Sequence, residues 1–181
     1  VECTTTCYAD VVNGNDANGG ASTVDAKKTI QAAVNAVNSG GQVIVAPGTY
    51  PENVTVPKSL TLTGDGEGTN PAADTILEGM GRNGSGIYIN DNIIDVTVEH
   101  LRVQNYNTAS PAAGVYANLS NHGLTVQHVT TVNNGLAGAN GGGVYMNGPV
   151  DDVLIDHVTA HSNRNRGIVI WNGFKTNITI T

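Results

Sequence analysis

Apolar and polar residues alternate along most of this chain in short runs, as in Leu60-Thr61-Leu62-Thr63 and Val96-Thr97-Val98-Glu99. A period of two places successive side chains on opposite faces of a strand. One stretch departs from that rhythm. Ile30, Ala33, Val34 and Val37 fall on one helical face, Thr23 is placed to cap, Asp25 suits a first turn, and Gly40-Gly41 follows as a stop. The pattern predicts one short amphipathic helix over residues 23–38 and strands from there to the last residue. Residues 1–22, rich in Gly, Asn and Thr, predict an irregular lead-in. The chain therefore divides into that lead-in and a single domain over 23–181.

The strands repeat. Gly86-Ile87-Tyr88-Ile89-Asn90 returns as Gly114-Val115-Tyr116-Ala117-Asn118, as Gly143-Val144-Tyr145-Met146-Asn147 and, loosely, as Gly167-Ile168-Val169-Ile170, in steps of 28, 29 and 24 residues. A second series keeps pace with it. Val96-Thr97-Val98-Glu99-His100 recurs as Leu124-Thr125-Val126-Gln127-His128, as Val153-Leu154-Ile155-Asp156-His157 and as Ile178-Thr179-Ile180, in steps of 28, 29 and 25. After each His a third segment leads into Asn105, Asn133 and Asn163.

Three short strands in every 24 to 29 residues is the period of a solenoid, in which each strand stacks on its equivalent one coil further on. A single coil cannot bury its alternating apolar positions, whereas coils stacked about 4.8 Å apart build continuous parallel sheets around a dry core. The expectation is an all-β parallel solenoid of about six or seven coils, plugged at one end by the helix. Val96, Val98, Leu124, Val126, Val153, Ile155, Ile178 and Ile180 point inward in this reading.

Thr29-Ile30-Gln31-Ala32-Ala33-Val34, then Gly41-Gln42-Val43-Ile44-Val45-Ala46-Pro47-Gly48-Thr49-Tyr50, then Ser59-Leu60-Thr61-Leu62-Thr63-Gly64 resembles the opening of right-handed parallel β-helices of the pectin-lyase-like superfamily. The likeness covers roughly residues 25–181 and implies that fold. It also implies cleavage or modification of acidic polysaccharides such as pectin.

Composition narrows the function classes. The 181 residues carry 8 Lys+Arg against 15 Asp+Glu, a net charge of −7, with no basic run to meet phosphates and no apolar stretch near membrane-spanning length, so neither nucleic acid nor a membrane span is expected. Charged residues are only 13%, and Asn, Thr and Gly take their place on the surface. Cys3 and Cys7, the only cysteines, are expected to form a local disulfide in an oxidising compartment. A chain opening on Val1 rather than Met is read as processed after export, hence as secreted or cell-surface. Sequons begin at Asn53, Asn83, Asn118 and Asn177 and matter only where the source glycosylates.

Candidate chemistry is sparse. The resemblance to polygalacturonase-like hydrolases implies clustered Asp residues and a Gly-His-Gly segment, because acid and base carboxylates must flank the glycosidic bond. Asp151-Asp152 and Asn121-His122-Gly123 echo this in part, but adjacent strand residues point to opposite faces. The resemblance to pectate-lyase-like enzymes implies carboxylate-bound calcium and an Arg base. Val153–His157 is similar to their segment and Arg164 and Arg166 follow, yet Val153–His157 is also the third copy of the chain's own repeat, and no full calcium set is present. No catalytic residue, metal or cofactor is therefore assigned. His100, His128 and His157 are expected to stack as a structural ladder in one turn between sheets, since rings a coil apart suit one tetrahedral metal poorly. Tyr88, Tyr116 and Tyr145 should form an outward stripe that serves either as a platform for a sugar chain or as a stiffening stack, with Trp171 just beyond it.

Two functions survive this reading. The leading one is a non-catalytic extracellular β-helix that assembles end to end, and also adheres to carbohydrate if the tyrosine stripe is a platform. The last strand, with Ile178 and Ile180, lacks a capping helix, so a second copy is expected to dock there, building a filament or surface structure. The alternative is a polysaccharide lyase or glycoside hydrolase, or a fragment of one.

Overall fold

A computed structural model describes residues 1–138 and 140–181. In chain order its elements are β1 (Thr6–Ala9), α1 (Ile30–Ala36), β2 (Gly41–Val45), β3 (Gly48–Tyr50), β4 (Val54–Val56), β5 (Leu60–Thr63), β6 (Thr75–Glu78), β7 (Ile87–Ile89), β8 (Ile94–Gln104), β9 (Ala112–Ala117), β10 (Asn121–Val132), β11 (Gly141–Asn147), β12 (Val150–Asp156), β13 (Thr159–His161), β14 (Ile168–Trp171) and β15 (Lys175–Ile180). Alternation works as expected. In β5, Leu60 and Leu62 are buried while Thr61 and Thr63 are partly exposed, and the equivalent Val96, Val98, Leu124, Val126, Val153 and Ile155 all lie in one continuous core.

Every named strand pairing is parallel, which makes the architecture a parallel β-solenoid. The first sheet stacks β1-β2-β5-β8-β10-β12-β15, and a bent arm of the same sheet carries β3, β6 and β13. The second sheet stacks β14-β11-β9-β7-β4. The solenoid makes about five turns rather than the six or seven expected. The first face has seven rungs, but the connection from β1 to β2 runs through α1 and not through a strand of the second sheet, so that level is plugged instead of wound.

The N-terminal region departs from expectation in two ways. Residues 1–22 are not merely an irregular lead-in, since β1 pairs with β2 in register, Cys7 opposite Val43 and Ala9 opposite Val45. Cys3 and Cys7 form the expected disulfide, with both residues buried. The helix is shorter than 23–38. Thr23–Asp25 is an isolated 3-10 turn, and Thr29 rather than Thr23 caps α1, its Oγ1 accepting from the Ala32 N–H at 3.1 Å. Glu52 completes that cap from the next coil, its two carboxylate oxygens accepting from the Ile30 and Gln31 N–H groups at 2.9 and 3.0 Å. Burial pushes this carboxyl above the usual carboxylate range, with the two N–H donors pulling the other way.

Corners between strands are built by left-handed residues recurring once per coil. Asp95, Gly123, Asp152 and Asn177 form one set, with φ of 52°, 67°, 50° and 51°. His100, His128 and His157 form another, with φ of 55°, 48° and 48°, and Asn105, Asn133 and Ser162 a third. Asn, Asp, His and Gly adopt this conformation most readily, which accounts for the residue types that recur at the corners. Ser162, and not the Asn163 expected from the repeat, completes the third set, since Val132 pairs with His161 and Asn133 therefore stands opposite Ser162. Asn163 instead belongs with Asn134 and Tyr106, one position further on.

That neighbouring column is an internal amide ladder. Asn134, fully buried, accepts from the Tyr106 N–H at 3.0 Å and donates to the Val103 carbonyl at 2.9 Å, and Asn163 accepts from the Asn134 N–H at 3.0 Å. The N–H groups of Tyr106 and Asn134 lie just past the ends of their strands, and side-chain amides satisfy them.

Candidate functional site

The outer face of the first sheet carries a trough along the solenoid axis. Thr61, Thr97 and Thr125 stand in register on β5, β8 and β10, and with Ser39, Ser59 and Asp95 they line a cavity of about 550 Å³. Gly40 and Gly123 keep bulky side chains out of it. A second cleft of about 410 Å³, lined by Thr4–Thr6 and Asn38, shares Ser39, Gly40 and Thr61 and so extends the trough toward the N-terminal end. Beside the threonines a polar column is already cross-linked: Thr63 Oγ1 donates to Glu99 at 2.8 Å and Gln127 donates to the other Glu99 oxygen at 2.6 Å. Among the described residues the trough is lined mainly by Thr and Ser hydroxyls with Asp95, Asn38 and Gln42, and by no Lys or Arg.

Near the corner set that includes Asp95, His122 meets two carboxylates. Its Nδ1 lies 2.7 Å from Asp151 Oδ1 and its Nε2 3.3 Å from Asp152 Oδ2. Strand alternation predicted that Asp151 and Asp152 would point apart. The left-handed backbone at Asp152 breaks the alternation and turns both carboxylates onto one imidazole. Two acceptors on two ring nitrogens favour the doubly protonated ring, and the hydrogen bond to Asp151, then the charges of both aspartates, hold the His122 pKa above its ordinary value. The Asn177 amide donates to Asp152 Oδ1 at 2.8 Å. For a metal the geometry is poor, because the carboxylates sit at opposite edges of the ring instead of converging beside one nitrogen. The same holds at the other cluster with metal-ligand chemistry, His128, Asp156 and His157, where the rings are stacked and their in-plane lone pairs run side by side.

The histidine stack forms where expected. Ring centroids are 4.8 Å apart for His100 and His128 and 4.9 Å for His128 and His157. It lies on the outside of its corner, with His100 and His157 exposed, whereas the inward amide ladder is the Asn134 and Asn163 pair described above. The sequence held a signal for that ladder, the Asn following each third segment, but the register was one residue out.

Tyr88, Tyr116 and Tyr145 also stack, with centroids 5.4 and 5.5 Å apart and planes within 8°. Their stripe is not open along its length. Tyr116 is 5% exposed and Tyr145 is fully buried, packed with Ala113 and Val169, so of the three only Tyr88 is partly open to solvent. Arg166 closes the far end, its guanidinium carbon 6.0 Å from the Tyr145 ring centre and 5.4 Å from that of Trp171. That placement occupies Arg166 on the second sheet, away from Asp156 on the first.

At the C-terminal coil Ile178 packs against the core while Ile180 is 57% exposed, and Trp171 and Phe174 are exposed beside them. No helix among the described residues is long and apolar enough to cross a membrane. No protein-family model matches the chain, and no curated protein is significantly similar to it.

Proposed function

We propose that this chain is an extracellular, non-catalytic β-solenoid that binds a neutral polysaccharide lengthwise in the trough on its first sheet. The observation that carries the reading is the axial column of Thr61, Thr97 and Thr125, one hydroxyl per coil in an unobstructed cavity of about 550 Å³. Coils repeat about every 4.8 Å, a spacing of the same order as one sugar unit in an extended chain. Neutral sugars are favoured because the lining offers Asp95 and hydroxyls and no cation, and the protein as a whole carries a net charge of −7. The buried disulfide fits an oxidising compartment. Membership of the pectin-lyase-like superfamily fits the parallel solenoid and the plugging helix. The test is affinity electrophoresis through gels containing soluble neutral glucans, mannans or galactans, with polygalacturonate as the acidic comparison. Retardation by one neutral polymer, lost in Thr97→Trp, supports the reading; retardation by polygalacturonate alone overturns it.

A second reading, hydrolysis of the bound chain, is favoured by one observation: both carboxylates of Asp151 and Asp152 reach the same side as His122. Each spends an oxygen on that imidazole in the structure, which weighs against a free acid and base pair. Reducing-sugar release from the retarding polymer, abolished in Asp151→Asn, would establish it.

End-to-end assembly through Ile178 and Ile180 is a third proposal, motivated by the exposed Ile180 beside Trp171 and Phe174. The free edge of β15 would be satisfied equally by a further coil of the same polypeptide or by a second copy. Light scattering on the chain and on Ile180→Asp separates them: concentration-dependent growth lost in the variant supports assembly, and a constant monomer refutes it.

A further inference from the structure

Two columns on the outer face of the second sheet run together, the tyrosines and, two residues on, the asparagines Asn90, Asn118 and Asn147. Within the stack each column satisfies itself. Tyr116 has a ring on both faces, and the Asn147 amide donates to Asn118 Oδ1 at 3.1 Å. Toward the C-terminal end the columns are closed by Arg166 and Trp171. Toward the N-terminal end they stop short. The rung above Tyr88 presents Thr55, exposed and too small to cover a ring, and Pro57 stands next in line above Asn90, with no side-chain group to pair an amide. Among the described residues the side chains of Asn90 and Asp91 make no hydrogen bond or ion pair, and with Tyr88 they line an open cleft of about 320 Å³.

We propose that this ledge is a second carbohydrate site, taking a single neutral hexopyranose unit with its apolar C–H face on the free face of Tyr88 and its hydroxyls on the Asn90 amide and the Asp91 carboxylate. The chemistry matches group by group. A pyranose has one apolar face, which an aromatic ring accepts, and a rim of hydroxyls that are both donors and acceptors. Asn90 supplies a donor and an acceptor, and Asp91 an acceptor only. The carboxylate excludes uronates by like-charge repulsion. Ligand contact is therefore confined to the end of the tyrosine column, since the rings of Tyr116 and Tyr145 are taken up by their neighbours. The site is independent of the trough, which lies on the other sheet.

Titration of the intact chain with methyl β-D-glucopyranoside, methyl β-D-galactopyranoside and methyl α-D-mannopyranoside, followed through the tyrosine ring resonances by NMR, tests this. The expected result is a saturable shift of the Tyr88 ring, with millimolar affinity for at least one glycoside, and Tyr116 moving less than Tyr88. Asn90→Ala should weaken binding several-fold, and Thr55→Tyr, which adds one more ring to the column and covers the free face, should weaken it by about tenfold or more with the spectrum of a folded protein retained. The proposal is overturned if none of the three glycosides moves the Tyr88 ring, or if binding survives undiminished in a folded Thr55→Tyr. Thr97→Trp, which blocks the trough, should leave the Tyr88 response unchanged, so failure at either site is read separately from failure at the other.

Discussion

β12 and β15 carry nearly the same strand. Val153-Leu154-Ile155 and Ile178-Thr179-Ile180 alternate alike and pair in register, Val153 with Ile178 and Ile155 with Ile180. Yet Ile155 is 1% exposed and Ile180 is 57% exposed. The residues and the backbone are equivalent, and the difference is that β12 has a coil on both sides. In a solenoid, burial belongs to the stack and not to the strand, because each unit contacts only its neighbours.

This contrast makes quantitative claims. Leu124→Ala, in a rung covered on both sides, should cost about 3 kcal/mol, roughly 6–12 °C in melting temperature, while Ile180→Ala should stay near 0.5 kcal/mol. Equal losses in urea unfolding would mean that the C-terminal coil is covered in solution. Asn134→Ala probes burial of polar groups in the same stack. It strands the Tyr106 N–H and removes an amide donor from the Val103 carbonyl, and should cost about 2 kcal/mol by the same measurement. At the plugged end, replacing Cys3 and Cys7 by Ser should cost about 2 kcal/mol, since the loop closed is short. Hydrogen exchange should then rise in β1 and leave β10 unchanged. The smallest effect lies at exposed His122. A raised folded pKa means that its favourable contribution is complete below the ordinary value of 6.5 and fades as pH climbs through the higher folded value. An NMR titration should place the His122 midpoint above that of an unpaired histidine and show it falling in Asp151→Asn.

The fold was legible because its signal is redundant. Val96, Leu124 and Val153 repeat at nearly constant spacing, and so do Tyr88, Tyr116 and Tyr145, so an error at one coil is corrected by the next. Features without such repetition were misjudged. β1 has no copy elsewhere, and a stretch rich in Gly and Thr hid its pairing with β2. The cap on α1 draws on Glu52, whose role depends on a coil closing over the helix. At Asp151 and Asp152 the period-two rule misled, because it assumes extended backbone and Asp152 is left-handed. Exposure along the tyrosine stripe was also beyond the pattern. Alternation tells which face of a sheet a ring occupies, and not whether Arg166 and the neighbouring loops lie over it.

The register of the rungs has a kinetic consequence. Most rung pairings join residues 24 to 29 positions apart in the chain, as Thr97 with Thr125 and Leu154 with Thr179, and hardly any pairing is local in the manner of a hairpin. Such separations are roughly 0.15 of the chain length, above the values of helical bundles that fold in microseconds to milliseconds and at the lower edge of those of all-β domains that take milliseconds to seconds. Each coil must close its loop before any pairing rewards it, so the first turn to form is the slow event and later turns add to an existing template. Refolding should therefore respond most to changes in the coil that nucleates, and unfolding to changes in the coil that frays.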